Sequence, residues 1–290
     1  MNYRHAYHAG NFADVVKHVI LARIVDYLKR KEQAFRVIDT HAGIGLYDLK
    51  GVEAGKTGEW TGGIERVIEA ADQGQIEADA LELLSPYLDA VRAVNGQDTL
   101  RHYPGSPFVV RHLLRKQDRL SALELHPKDA ATLAKRFEGD YQVRVIELDG
   151  WLALGAHLPP KEKRGLVLVD PPFEKEGEFD RLVDGLVKAH KRFSGGTYAL
   201  WYPLKDRRET ERFANRLYES GIAKIMQINV AIRAPSSEPR LDGTGMIVVN
   251  PPYTLESEMQ TLLPCLTKLL AEDKGANFTV RWIRGETDRT

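Results

Sequence analysis

One tetrapeptide holds the densest chemistry in the chain: Asp170-Pro171-Pro172-Phe173, at the end of the apolar run Leu166 to Val169. The Asp170 carboxylate and the Pro171 carbonyl form a pair of acceptors that suits one planar amine bearing two hydrogens. An amine on an aromatic ring is a poor nucleophile, because its lone pair is conjugated with the ring. Two fixed acceptors, aimed at charge developing on that nitrogen, draw the lone pair out and stabilise the transition state. The two prolines stiffen the turn that holds both acceptors. Phe173 offers a flat face on which an extruded base stacks. Asp170, Pro171 and Phe173 are therefore the candidate catalytic residues. A second segment, Asn250-Pro251-Pro252-Tyr253, fits the same loose pattern. It follows a strand expected to run antiparallel, so its end points away from the site, and it is expected to be a structural turn.

Three further strand ends carry ligand-type residues. The first runs Asp39-Thr40-His41-Ala42-Gly43-Ile44-Gly45, where glycines let the backbone approach a ligand closely. The second ends in Glu124, an acid placed to accept from both ribose hydroxyls of an adenosine. The third ends in Asp149-Gly150-Trp151, where a carboxylate can accept from an adenine amine beside an indole ring. Each is weak alone; at successive strand ends they point to a nucleoside cofactor.

Elements able to position these residues alternate along the chain. Strands are expected at 36–39, 121–125, 143–148, 166–169, 198–202, 225–231 and 245–249. Helices are expected at 105–117, 127–138, 178–193 and 207–220, after an amphipathic helix at 12–30. Such alternation makes a mostly parallel, doubly wound sheet. The Pro-, Ser- and Gly-rich link 232–244 has no room for a helix, so the last pair is expected to be antiparallel. Residues 46–98 interrupt the pattern as an acidic helical insert, with four Lys/Arg against eleven Asp/Glu. The domain reading is thus 1–45 with 99–290, and 46–98 inserted.

The 290 residues carry no net charge, yet 1–36 hold seven Lys/Arg to three acids and 101–119 five to one. Local basic faces for a polyanion are compatible with that neutrality. One cysteine, Cys265, excludes an intrachain disulfide and suggests no metal cluster. No run approaches a membrane span and no secretory leader is visible, so the expected setting is the cytoplasm, without a membrane partner.

The chain resembles, over nearly its full length, the RlmJ-type bacterial 23S rRNA adenine-N6 methyltransferases. The resemblance rests on Tyr3-Arg4-His5-Ala6-Tyr7-His8-Ala9-Gly10-Asn11 with Lys17-His18, on Asp39 to Gly43, and on Tyr103-Pro104-Gly105-Ser106-Pro107. It continues through Glu124 to Pro127, Asp149-Gly150, Asp170 to Pro172, Tyr198 to Pro203 and Gly245 to Val248. It implies a Rossmann-like class I methyltransferase fold, a mostly parallel sheet with one antiparallel strand, carrying an inserted helical subdomain. It implies S-adenosyl-L-methionine held by His18, His41, Ser106, Glu124, Asp149, Gly150 and Asp170. It also implies catalysis by Asp170 on the N6 amine of adenine-2030, in 23S rRNA largely freed of protein, by a monomer. Tyr3, Arg4, His5 and Lys17 are expected at the RNA. Phe173 departs from the family, where tyrosine is usual; stacking survives, a phenolic hydrogen bond does not.

Rivals are a DNA adenine or protein glutamine methyltransferase, a nicotinamide-dependent oxidoreductase, and a silent RNA-binding protein. Asp170 argues against a glutamine enzyme, where asparagine is favoured, and against a silent protein. A DNA enzyme would normally carry a target-recognition domain, and none is visible beyond the acidic 46–98 insert. The incomplete glycine fingerprint and Asp170-Pro171-Pro172 argue against the oxidoreductase.

Overall fold

The computed structural model describes residues 5–96, 100–236 and 240–286. Ten strands are present among them: β1 (Arg36–Asp39), β2 (Leu46–Asp48), β3 (His102–Pro104), β4 (Arg119–Glu124), β5 (Val143–Glu147), β6 (Gly165–Val169), β7 (Thr197–Leu204), β8 (Ile225–Ala231), β9 (Gly243–Val249) and β10 (Asn277–Arg284). The α-helices are α1 (Phe12–Lys29), α2 (Val52–Thr57), α3 (Ile64–Asp72), α4 (Ala78–Ala93), α5 (Ser106–Leu113), α6 (Pro127–Arg136), α7 (Gly150–Ala156), α8 (Glu178–Arg192), α9 (Arg207–Glu219) and α10 (Leu255–Leu270).

Eight strands form one sheet in the order β10-β8-β9-β7-β6-β1-β4-β5. From β7 to β5 all neighbours are parallel, whereas β9 runs against both β7 and β8. The expected antiparallel strand is therefore β9. A second, β10, pairs antiparallel with β8 at the edge and was not expected from sequence. Its apolar Phe278 and Val280, partly buried on the core, alternate with exposed Asn277, Thr279 and Arg281, so it lacks the apolar run that marked the buried strands.

Alternation along β6 shows how the sheet is covered. Leu166 and Leu168 face a core shared with α1, α5 and α10, while Val167 and Val169 face one shared with α7 and α8. The helix expected to be amphipathic, α1, is instead buried nearly all round. It packs on the sheet through β6 and β9 and is covered from outside by α4, α5 and α10. Segment 46–98 contributes α2 to α4, and its Ile64, Val67, Tyr87 and Leu88 join the same core as the sheet. It leaves and rejoins the main body through the antiparallel pair β2–β3. Asn11 caps α1, its side-chain oxygen accepting from the Asp14 N–H at 3.0 Å.

One ion pair fastens α1 to α10. Arg23 donates to Glu258 through Nε at 2.9 Å and Nη2 at 3.1 Å, and both side chains are buried. Removing one partner strands the other charge in the interior, a loss of about 3–5 kcal/mol. Glu258→Ala is expected to lower unfolding free energy by that amount in urea titration, while Arg207→Ala, at an exposed pair, changes it by about 0.5 kcal/mol or less.

Candidate active site

Because β1, β4, β5 and β6 are parallel, their C-terminal ends share one edge, and a cleft of about 600 Å³ opens there. All the described site residues expected from sequence line it: Asp170, Pro171 and Phe173; His18, His41, Ser106, Glu124, Asp149 and Gly150; His5 and Lys17. Tyr3 and Arg4 lie outside the described residues. Asn250 sits at the opposite edge, at the end of β9, where its side-chain amide donates to the Ser194 and Gly196 carbonyls, both at 2.8 Å. The two Asx-Pro-Pro-aromatic turns are thus separated by strand direction, as expected.

The glycine turn after β1 places the backbone against Glu124. Gly43 (φ 59°) and Gly45 (φ 78°) take the left-handed conformation. A Cβ on Gly43 would meet the Tyr47 hydroxyl at 2.3 Å, and one on Gly150 the Thr40 carbonyl at 2.1 Å. With both positions bare, the Gly43 N–H donates to Glu124 Oε2 and the His126 N–H to Oε1, each at 2.8 Å. Burial raises the Glu124 carboxyl against those two donors. Asp149 caps α7 by accepting from the Trp151 N–H at 2.9 Å. The Arg181 guanidinium lies 4.5 Å from the Trp151 ring centre, and the His41 ring meets the same indole edge-on at 5.7 Å.

On the other side, α1 delivers a buried chain of charge. His5 Nε2 and the Gly10 N–H reach Asp14 Oδ2 at 2.9 and 3.0 Å. Lys17, 3% exposed, sets its ammonium 2.8 Å from Asp14 Oδ1 and donates to Asp170 Oδ2 at 2.5 Å. Burial acts to lower Lys17, but the two carboxylates outweigh it and hold it raised. Burial likewise acts to raise Asp14, yet His5 and Lys17 hold it well below the usual carboxylate range. Lys17 is therefore an internal cation committed to the carboxylate of the tetrapeptide; the geometry does not offer it to a phosphate. With Oδ2 taken, Asp170 Oδ1 has no hydrogen-bond partner among the described residues. Phe173 adopts φ 51°, a sparsely populated conformation for a bulky residue, and packs against Phe179 and Trp201.

The basic segments are mostly spent inside the fold. Arg36 pairs with Glu162, Arg111 with Asp140, and Arg115 with Asp118 and the carbonyls of Lys29 and Lys31. The cations at the cleft are instead Lys175, Arg181, Lys205 and Arg240, from loops and one helix face that sequence counting did not single out. Asp14 was also missed as a site residue, though its i,i+3 spacing to Lys17 was a legible signal. Asp39, fully buried at the end of β1, supports the site from behind: it accepts from Ser106 Oγ at 2.7 Å, and burial pushes its carboxyl up to about 7.

Strand order, the reversed β9 and a ligand-type residue at each successive strand end define the class I methyltransferase fold. The model of the family described as "Ribosomal RNA large subunit methyltransferase D, RlmJ" matches residues 32–284, and the chain belongs to that family. The protein named ribosomal RNA large subunit methyltransferase J of Haemophilus influenzae is 42% identical over 287 residues, covering 99% of this chain and 100% of its own. Its namesake in Escherichia coli is 42% identical over 283 residues, covering 98% and 99%. A crystal structure of a Legionella pneumophila protein superimposes with a TM-score of 0.86 at 34% identity, covering 97% of this chain and 99% of that one.

The cleft fits a nucleoside sulfonium cofactor. It offers the Glu124 carboxylate for a diol, the Asp149 carboxylate for an amine, and a buried His18 Nε2 without a hydrogen-bond partner among the described residues.

Two buried imidazoles give the site a pH signature. Burial lowers His18 to about 3 and His41 to about 4, against about 6.5 unfolded. The unfolded chain thus binds two more protons as pH falls below 6.5, while Asp39 gives the folded chain one more. The histidine contribution is full above pH 6.5 and fades on acidification. Net stability is expected to fall by roughly 1 kcal/mol between pH 6.5 and 5.5. In the double variant His18→Gln, His41→Gln the fall between pH 6.5 and 5.5 is expected to be smaller; urea unfolding across this range reads both, and equal slopes would contradict the assignment.

Proposed function

We propose that this protein is an S-adenosylmethionine-dependent rRNA methyltransferase acting on the N6 amine of an adenine in 23S rRNA, the family target being adenine-2030. The observation that carries it is Asp170: one carboxylate oxygen fixed by buried Lys17, the other open to the cleft, beside the Pro171 carbonyl. Membership of the RlmJ family, whose description names the large-subunit RNA, supports the substrate.

Glu124, with both oxygens oriented by backbone N–H groups, accepts from the ribose hydroxyls. Asp149 faces the cofactor's adenine beside Trp151, and Gly150 lets the chain pass close. His18, His41 and Ser106 complete the cofactor contacts, with Asp170 at the reacting end. S-adenosylmethionine, when bound, supplies an electrophilic methyl group.

Asp170 Oδ1 and the Pro171 carbonyl accept the two N6 hydrogens and stabilise positive charge as it develops on nitrogen. Lys17 holds the carboxylate in that orientation. Phe173 and Trp201 stand at right angles (interplanar 78°), a corner with one face and one edge for a flat ring. His5, with Tyr3 and Arg4 beyond the described residues, lies on the RNA side. The cations Lys175 and Lys205 suit phosphates, so binding is salt-sensitive. The reading takes the enzyme as a cytoplasmic monomer, with 46–98 as an inserted subdomain, acting on largely deproteinised RNA.

Asp170→Ala is expected to lower methyl transfer by at least about a thousandfold and also to lower the unfolding temperature, because buried Lys17 is left with Asp14 alone; circular dichroism at the assay temperature checks that the variant is folded. Asn250→Ala leaves turnover within about threefold and lowers stability by about 1–3 kcal/mol, as its two carbonyl contacts are lost. Labelled cofactor is incubated with 23S rRNA, duplex DNA or a glutamine peptide, and the product hydrolysed for mass spectrometry. N6-methyladenosine from the RNA supports the reading; methylcytidine, or label only in DNA or peptide, contradicts it.

A further inference from the structure

His18 is the one cofactor candidate held entirely by tyrosines. Its Nδ1 lies 2.7 Å from the Tyr103 hydroxyl, which lies 3.1 Å from that of Tyr87. All three side chains are buried. Tyr103 belongs to β3 and Tyr87 to α4 of the inserted segment. No other hydrogen bond joins either hydroxyl among the described residues, and His18 Nε2 has none. Burial lowers His18 to about 3, so the imidazole is neutral at physiological pH.

A count of hydrogens sets the polarity. Each hydroxyl owns one, and a neutral imidazole owns one. If Tyr87 donates to Tyr103 and Tyr103 donates to Nδ1, both hydroxyl hydrogens are used, and the one left over is the imidazole hydrogen on Nε2, on a side chain that lines the cleft, where a ligand acceptor can meet it. If the imidazole hydrogen sits on Nδ1, only Tyr103 can receive it. The two hydroxyl hydrogens then have a single contact left between them, and the one left over belongs to a tyrosine that does not line the cleft, so no ligand can accept it. Nε2 would also be a bare lone pair without a donor.

We propose that Tyr103 and Tyr87 are positioning residues that fix His18 as its Nε2–H tautomer, so that the cleft presents a hydrogen-bond donor to the carboxylate of the cofactor's amino-acid moiety. The assignment of this acceptor rests on the cofactor reading above. Glu124 and Asp149 take the ribose and adenine, and α1 borders the remaining side of the cleft, where the α-carboxylate is the strong acceptor left. The inserted segment thereby reaches the cofactor site through one hydrogen-bond chain, although Tyr87 itself does not line the cleft.

The test is long-range proton–nitrogen NMR of the full-length protein with labelled histidine, the His18 signals being assigned by their loss in His18→Gln. The expected wild-type spectrum has Nε2 protonated and Nδ1 unprotonated, without added ligand. Protonated Nδ1 overturns the proposal whether or not the cofactor reading holds. Tyr103→Phe is expected to populate the other tautomer and weaken S-adenosylhomocysteine about tenfold by calorimetry. It leaves decarboxylated S-adenosylhomocysteine bound as by wild type, since the lost donor served the carboxylate. Tyr87→Phe removes one donor but leaves that of Tyr103, so the tautomer persists and affinity falls less than in Tyr103→Phe. Equal weakening of both ligands by Tyr103→Phe overturns the carboxylate assignment. Failure of wild type to bind either ligand, with the expected tautomer in place, strikes the cofactor reading alone.

Discussion

Lys17 is the residue on which the site depends. Its ammonium lies in the interior between Asp14 and Asp170, and a buried charge is tolerable only where its partners are in place. That demand fixes the end of α1 against the end of β6. Asp14 is held in turn by the Gly10 N–H and His5, so the N-terminal segment is organised by the same charges. One consequence is chemical: a carboxylate with one oxygen locked presents the other in a single direction, as positioned catalysis requires.

Strand direction does the rest of the sorting. Parallel strands bring His41, Glu124, Asp149 and Asp170 to one cleft although they lie far apart in the chain. The reversal at β9 carries a near-copy of the catalytic turn to the other edge, where Asn250 closes loops rather than facing a ligand. The insert is energetically part of the body, since its Tyr87 and Leu88 lie in the core that also holds α1.

Much of this was legible in the sequence because buried parallel strands are continuous apolar runs and each ended in a polar residue. β1 and β8 match the expected ranges to the residue. What was not legible was long-range partnership. Sequence counts treat Lys17, Arg36 and Arg115 as surface charge, but their partners are Asp170, Glu162 and the loop carbonyls near Lys29, which no local pattern reveals. The helical spacing of 12–30 gave the element but not its burial, because the covering helices α4 and α10 lie far off in sequence. β10 escaped because its apolar Phe278 and Val280 alternate with Asn277, Thr279 and Arg281, so no continuous apolar run marks it.

Everything the site does turns on whether this cleft holds a cofactor and a target adenine with the amine at Asp170. The most direct measurement is a crystal structure of the protein with S-adenosylhomocysteine and an adenine-containing RNA fragment. Expected are the ribose hydroxyls on Glu124, the cofactor's sulfur facing the target N6, and that amine donating to Asp170 Oδ1 and the Pro171 carbonyl while Lys17 stays on Oδ2. A cofactor bound away from Glu124, or a base whose N6 turns away from Asp170, would contradict that arrangement.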